Sequence, residues 1–449
     1  MAERAPDAAH PFLTGNFAPV VGELDAEDLP VTGRIPGELA GVFARIGPNP
    51  IDPDPATYHW FLGSGMVHGV WIEDGRARRY RRRYVRDDHV VAKLGGPPVP
   101  GPRPDPDLGS GVANTHVIRH AGRILALVEA GNLPVELDDG LETVGRTDFG
   151  GTLRGSFSAH PKRDPESGEL WAATYTPFAE QIGVVVVGVD GRVRRSLAVP
   201  VPGRPMVHDC ALTEHYLVLL DLPVVLDPTA GAALPYRWHP EYGARVGLLP
   251  RDGGAEDVVW AEVEPCFVFH PMNAFEDEAG RVVVDVIRHP RMFDRELRGP
   301  SEGAPTLERW TLDPRGGPAK EERLDDRGQE FPRIDDRRTG RRHRFGYATA
   351  LGEGLAHGAL VKHDLARGAA ELHREGAGRA FLEPVFVPAR PDAEEDEGFV
   401  LAYVYDAGTD RSEVVILDAR AFGDEPLARI HLPDRVPFGF HGSFLPAAG

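Results

Sequence analysis

The sequence predicts an all-β fold, and within that class a seven-bladed propeller with loops and short helices capping one face. Three observations lead there: short runs of β-forming residues, a turn-rich composition, and a near-even spacing of polar residues in apolar surroundings. Residues 123–129, 183–189, 216–221, 281–287, 399–405 and 414–417 are short, rich in Val, Ile, Leu, Tyr and Phe, and bounded by turn residues. Hairpin-favouring dipeptides, Asp74-Gly75, Ala121-Gly122, Asp190-Gly191 and Ala279-Gly280, separate several such runs. No long stretch sustains a 3.6-residue apolar period, and 52 glycines and 42 prolines argue for many turns and few helices. The chain of 449 residues is expected to form one domain, 1–449, with a short flexible N-terminus at about 1–15. The Pro/Gly/Asp-rich stretch 95–111 and the acidic stretch 391–397 are too short for interdomain linkers and read as surface insertions.

Composition removes several function classes. A formal net charge of −19 argues against a nucleic-acid partner, whose affinity rests on clustered Lys and Arg. The one basic run, 76–86, is interleaved with Tyr80 and Tyr84 and reads as a solvated strand edge. Two cysteines, Cys210 and Cys266, exclude a disulfide framework and fit a reducing cytoplasm. Residues 1–10 lack the apolar core of a secretory signal, and the longest apolar stretch, near 182–189, is far short of the roughly 20 residues a membrane helix needs. Phosphate and nucleophile motifs (GxxxxGK followed by Ser or Thr, GxGxxG, GxSxG) and HExxH are missing, and the glycine-rich run 63–68 fails the dinucleotide pattern.

Of 18 histidines, most need no function, since a lone His in a β protein is usually a surface or satisfied core residue. Four differ by their surroundings: His160, His208, His270 and His441 each follow an apolar or small residue and adjoin Pro, Gly or Asp. That context suits the inner end of a strand turning toward an axis. Glu129, Glu330 and Glu383 likewise lie in apolar company, where a carboxylate must be paired or hydrogen-bonded. Taken alone they read as salt-bridged core residues. In order, the seven positions are separated by 31, 48, 62, 60, 53 and 58 residues, and one seventh of the chain is about 64. A propeller blade is a four-stranded sheet whose innermost strand faces the central channel, so this spacing brings one polar residue per blade toward one axis. Imidazole suits Fe, Zn, Cu and Ni, and metal-bound His usually donates its other N–H to a carboxylate or carbonyl. Structural zinc sites are closed and usually use Cys. Four neutral ligands with no thiolate therefore favour one Fe(II) ion with O2 as co-substrate, other divalent metals remaining open.

With these residues in hand, the chain resembles the carotenoid cleavage oxygenases. This family includes apocarotenoid oxygenases, stilbene-cleaving dioxygenases and the vertebrate retinoid isomerohydrolase. The resemblance rests on an ordered series: GVFARIGPNP at 41–50, GMVH at 65–68, NT at 114–115, LALVEAG at 125–131, FSAHP at 157–161 and VHD at 207–209. It continues with FHPMNAFE at 269–276, EFPRID at 330–335, EPVFVP at 383–388 and FGFHGSF at 438–444. It implies a seven-bladed propeller with Fe(II) on its axis, held by His160, His208, His270 and His441. Glu129, Glu330 and Glu383 would stand behind the ligands, and His68 would not bind iron. It also implies addition of O2 across a C=C bond to give two carbonyl products.

Three departures from the family pattern stand out, the first of which bears on substrate. Val128 stands where phenol-activating, stilbene-cleaving members look to carry a lysine, which favours a carotenoid or apocarotenoid. Cys210 replaces a common aromatic, either widening the pocket or as a neutral core change. The run 60–65 is less acidic than the family form. Phe157, Phe269, Phe275, Phe438 and Phe440 are candidates to face a polyene cation, each also readable as core packing. An apolar polyene substrate implies peripheral contact with a membrane and an exposed apolar patch at the tunnel mouth. The competing readings are a stilbene-like aromatic alkene as substrate, a non-catalytic binding propeller, and a Ca²⁺-dependent hydrolase propeller, for which oxygen ligands would be expected.

Overall fold

The computed structural model describes residues 10–103, 112–230, 234–300, 302–352 and 357–447. Seven antiparallel sheets of four or more strands are arranged as the blades of a propeller, with one small two-stranded ribbon, Val224–Leu226 with Tyr236–Trp238, beside them. The innermost strands are His116–His120, Lys162–Arg163, Cys210–Leu212, Phe267–Glu276, Gln329–Arg333, Val385–Pro388 and Gly442–Pro446. Inner strands of adjacent blades touch around the axis, as Cys210–Leu212 does with Phe267–Glu276 and Val385–Pro388 with Gly442–Pro446.

The ring closes by sharing strands between the chain ends. The last strand, Gly442–Pro446, pairs with Gly41–Pro48, which leads out through Gly65–Glu73 and Arg76–Tyr84 to Leu24–Glu27. The N-terminal strand Val31–Gly33 in turn pairs with Ala428–His431 on the outer edge of the preceding blade. Both closures join residues some 400 positions apart, so the ring is fastened by backbone hydrogen bonds.

Burial explains the strand sequences. Inner and middle strands are sandwiched between neighbouring blades on both faces, so Phe267–Glu276 and Leu170–Thr174 are almost wholly buried and largely apolar, the first interrupted by His270 and Asn273. The outer strand Val193–Pro200 alternates between half-buried and exposed positions along most of its length, the period-2 pattern of a strand with one wet face. Among the described residues the α-helix is the single short segment Asp88–Leu94, capped by the Asp87 carboxylate, which accepts from the Val90 N–H at 2.7 Å.

The structure corrects the reading of the basic run. Arg76–Tyr84 is not an edge: it is paired on both sides, with Leu24–Glu27 and Gly65–Glu73. Arg82 and Arg83 are buried, Arg82 against Asp434 at 2.6 Å and Arg83 against Asp25 and Glu142. Carboxylates contributed by distant segments make this possible, and a linear reading cannot see them. The N-terminal stretch expected to be flexible, about 1–15, lies only partly within the described residues. Residues 1–9 are outside those described, whereas Phe12 is buried and stacks on Trp60 at 5.4 Å with an interplanar angle of 10°. Of the stretch 95–111, residues 104–111 lie outside the described residues. The acidic stretch is pinned at the surface: Lys362 and Arg420 pair with Asp396, and the Arg337 guanidinium donates to the Pro391 carbonyl at 2.8 Å.

Several buried histidines away from the axis carry a cost at low pH. Burial pushes His343 and His363 down to about 4 and His68 down to about 3, against partial relief from Asp285 and Asp325 for the first two. Their folded pKa lies below the unfolded value of 6.5, so the unfolded chain takes up protons first as pH falls. Stability is full above about 6.5 and drops as pH falls through the window down to those folded values. Thermal melts of metal-free protein are expected to be flat from pH 8 to 7 and to fall steadily from pH 6.5 to 4.5. Each such group contributes a slope approaching about 1.4 kcal/mol per pH unit. A melting temperature independent of pH across that window would contradict the neutral, buried state of these rings.

Candidate metal centre

Each of the four selected histidines sits at or beside the start of an inner strand, where the chain enters the ring near its axis. His160 precedes Lys162–Arg163, His208 precedes Cys210–Leu212, His270 lies within Phe267–Glu276, and His441 immediately precedes Gly442–Pro446. The strand at His270 carries register shifts between Val268 and Asn273, an irregularity that re-aims the side chain inward. All four rings are buried, and one ring nitrogen of each lies within 4.8 Å of the others.

The three glutamates stand behind three of those rings. Because a carboxylate only accepts, each imidazole donates through Nδ1: His208 to Glu129 at 3.0 Å, His270 to Glu330 at 2.6 Å and His441 to Glu383 at 2.8 Å. That fixes the tautomer and leaves each Nε2 as a bare lone pair aimed at the centre. The Nε2 atoms of His208 and His270 are 3.3 Å apart. With both protons held on Nδ1, two lone pairs face one another there, an arrangement that repels unless a cation lies between. The Nε2 of His160 is buried without a hydrogen-bond partner.

Electrostatics favour the neutral ring at two of the four histidines. Burial and the neighbouring imidazoles hold His160 well below the ordinary histidine range, and burial does the same to His441 against the opposing charge of Glu383. His270 runs the other way: burial would lower it, but Glu330, with Asp209 and Glu383, outweighs burial and raises it, so a cation would displace a proton there. Burial would raise Glu330 and Glu383, but their histidine partners, with Arg333 for Glu383, outweigh it and hold both carboxyls far below the ordinary range. Neutral imidazoles backed by ionised carboxylates are the state a divalent cation requires. The donor set is all nitrogen and lacks a thiolate: Cys210 is fully buried in the core, its thiol pushed up to about 12 by burial, so of its two readings the structure supports the core change. The residues present therefore fit Fe(II), and a Ca²⁺ site built from oxygen donors does not match them.

The regularity of one polar residue per blade holds with one shift. Glu129 follows Arg123–Leu127, the second strand of its blade. The residue at the inner position is Thr115, which immediately precedes His116–His120 and lies 45 residues before His160. This explains the short first interval of 31. Two participants had no signal in the sequence. His289 ends the strand Val282–His289 and donates from Nε2 to the other Glu330 oxygen at 2.8 Å. Arg333 lies 3.4 Å from Glu383 and donates to the Gly442 carbonyl at 2.9 Å.

Two cavities meet at the cluster. One, of about 460 Å³, is lined mainly by apolar side chains including Trp60, Phe61, Val128, Phe269, Phe331 and Phe440, and reaches His208, His270 and His441. The other, of about 440 Å³, is the more polar of the two, with charged and apolar side chains mixed along its wall, and reaches His160, His270 and His441. Of the aromatics singled out in the sequence, Phe269 and Phe440 line the apolar cavity. Phe157, Phe275 and Phe438 do not: Phe157 packs on Phe149, Phe275 on His343, and Phe438 on Phe17. Trp60, Phe61 and Phe331 were missed. Phe331 adopts a positive φ of 56° and stacks on His270 at 5.7 Å.

The placement of His441 depends on a close backbone approach. A methyl group on Gly439 would lie 2.8 Å from the Gly47 Cα, and one on Gly47 would lie 2.5 Å from the Gly439 Cα. The Arg45 guanidinium donates to the Gly439 carbonyl at 3.0 Å. Gly439→Ala is expected to force these strands apart, cost about 1–3 kcal/mol and displace His441. Thermal denaturation paired with metal analysis checks this; an unchanged melting point and full metal content would show that the seam has slack.

Comparison with known proteins places this geometry. Residues 17–446 match the family model described as retinal pigment epithelial membrane protein. A carotenoid cleavage oxygenase of Mycobacterium tuberculosis is 42% identical, over 99% of both chains. Among solved structures, the lignostilbene dioxygenase of Pseudomonas brassicacearum superposes with a TM-score of 0.89 at 31% identity, covering 99% of this chain and 100% of that one. Cobalt-substituted Synechocystis ACO superposes with a TM-score of 0.85 at 29% identity, covering 96% and 97% respectively.

Proposed function

This chain belongs to the carotenoid cleavage oxygenase family, which also takes in the retinal pigment epithelial membrane protein, and on that premise we propose that it cleaves a C=C bond of a carotenoid or apocarotenoid with O2 at one Fe(II) ion, giving two carbonyl products. The observation that carries this reading is the four-histidine cluster set against an apolar cavity. His160, His208, His270 and His441 are the proposed ligands, with Glu129, Glu330 and Glu383 as their outer partners. The whole ring is taken as one domain, because strands from both chain ends share blades.

When bound, Fe(II) supplies a site at which O2 is bound and activated. The chain's own residues do the rest. The glutamates hold protons on the Nδ1 atoms, so the ring nitrogens facing the centre stay free. Apolar side chains displace water from around the alkene. Among the described lining residues there is no Lys, Arg or Asp, and both carboxylates there, Glu129 and Glu330, accept from histidines. A polyene needs no polar partner and fits such a wall. Val128 lines the cavity beside Glu129, so no ammonium there can hold a phenolate. This favours a polyene, while the likeness to the lignostilbene dioxygenase keeps an aromatic alkene as the second reading.

Among the described residues no helix is long and apolar enough to cross a membrane. Leu62 is 47% exposed and also lines the apolar cavity, which supports a mouth that touches a lipid surface. The test is metal analysis of protein purified without oxygen, followed by mass spectrometry of products from a panel of carotenoids, apocarotenals and resveratrol. One iron per chain and paired carbonyl fragments from a polyene are expected; fragments from resveratrol alone would select the second reading.

A further inference from the structure

Three of the four imidazoles have a glutamate in contact with Nδ1, and His160 does not. The Nε2 of His160 is buried without a hydrogen-bond partner among the described residues. The nearest carboxylate to its Nδ1 is Asp209, whose Oδ2 lies 3.9 Å away, too far for a hydrogen bond. Asp209 is buried and strongly held. Lys162 Nζ lies 2.9 Å from each of its oxygens, and its Oδ1 accepts the Cys210 N–H at 2.6 Å. All three groups border the polar cavity: His160, Lys162 and Asp209. Lys162 and Asp209 each follow a proposed ligand within two residues, Lys162 opening the inner strand Lys162–Arg163 and Asp209 immediately preceding the inner strand Cys210–Leu212 of the next blade. An isolated buried carboxylate aimed at an imidazole would normally close to contact; here an ammonium competes for it.

We infer that Asp209 is the fourth outer carboxylate of the centre, a positioning residue whose negative charge, 3.9 Å from Nδ1, favours the Nδ1–H tautomer of His160, and that Lys162 holds it short of direct contact. This rests on the metal-site reading above. It makes His160 the least strongly backed of the four imidazoles, and it predicts opposite effects for the two partners. Removing the carboxylate's charge weakens the hold on His160. Removing the ammonium frees Asp209 to accept from Nδ1 directly and strengthens it.

The test uses full-length, metal-stripped protein titrated with cobalt(II) against a chelator, read by the cobalt absorption bands, without turnover. Asp209→Asn is expected to lower cobalt affinity about 10–100-fold, while Lys162→Met binds cobalt at least as tightly as wild type. Both substitutions disturb a buried ion pair and are expected to lower thermal stability, so a purely structural role would weaken metal binding in both. Parallel losses, or wild-type affinity in Asp209→Asn, would overturn the inference while leaving the metal site standing. Should Asp209→Asn fail to fold, Lys162→Met decides alone: weaker binding there is the contrary result. Wild-type protein that takes up no stoichiometric cobalt would instead overturn the metal-site reading, and this inference with it.

Discussion

His270→Ala protein is expected to fold, to bind no stoichiometric iron and to cleave no alkene. The fold survives because the groups that His270 touches keep other partners. Glu330 still accepts from His289 Nε2 at 2.8 Å and from the Phe331 N–H. The strand Phe267–Glu276 keeps its pairing with Val282–His289. The metal is lost because His270 faces each of the other three rings, as His160 also does: its centroid lies 5.2 Å from that of His160, 5.1 Å from His208 and 4.7 Å from His441. Deleting a ligand removes more than the about 10–100-fold in affinity that loss of an outer partner costs. Circular dichroism, metal analysis and product detection on one preparation check the three parts together. A folded variant with full turnover would show that the cluster is not the catalytic centre.

Glu330→Ala is the second large effect, and it strikes stability and metal together. Glu330 accepts from His270, from His289 and from the backbone at Phe331, all in a buried setting. Removing it strands three donors, each costing about 1–3 kcal/mol, and frees both rings to change tautomer. A marked drop in melting temperature is expected, with iron affinity down about 10–100-fold. Glu330→Gln keeps the volume and one acceptor and should recover much of the stability but less of the metal. The sign of the pH dependence follows from the depressed carboxyl. The ionised group's contribution is complete above about 4.5 and is lost as pH falls toward its folded value. Wild type should therefore lose this share in acid, and Glu330→Ala should lack it at every pH. Equal acid sensitivity of the two proteins would argue against an ionised Glu330.

Much of this arrangement was legible because the inner strands write their position locally. His160-Pro161, His208-Asp209, His270-Pro271 and His441-Gly442 each combine an apolar approach with a residue that bends the chain, and all four rings prove to be buried together. What misled was register. Glu129 read like the other polar residues in apolar runs, yet it follows the second strand of its blade and reaches His208 from there, while Thr115 holds the equivalent inner place. The basic run read as a wet edge because Asp25, Glu142 and Asp434, which neutralise it, come from three other segments. Trp60 and Phe61 gave no signal because their role depends on a cap folded across the ring mouth, where Phe12 and Phe17 pack on Trp60.

By itself the sequence determined the all-β class, through side-chain alternation and turn residues, which are properties of consecutive residues. The blade count and the candidate imidazoles and carboxylates came from spacing read together with the resemblance to the carotenoid cleavage oxygenases. Only the tertiary structure decided which carboxylate serves which ring, that His289 shares Glu330, that His160 faces Asp209 without touching it, and that an apolar and a polar cavity meet at the cluster. Those facts depend on distances between residues tens to hundreds of positions apart. The ring fixes such distances only when its first and last strands pair and every blade settles against its neighbours.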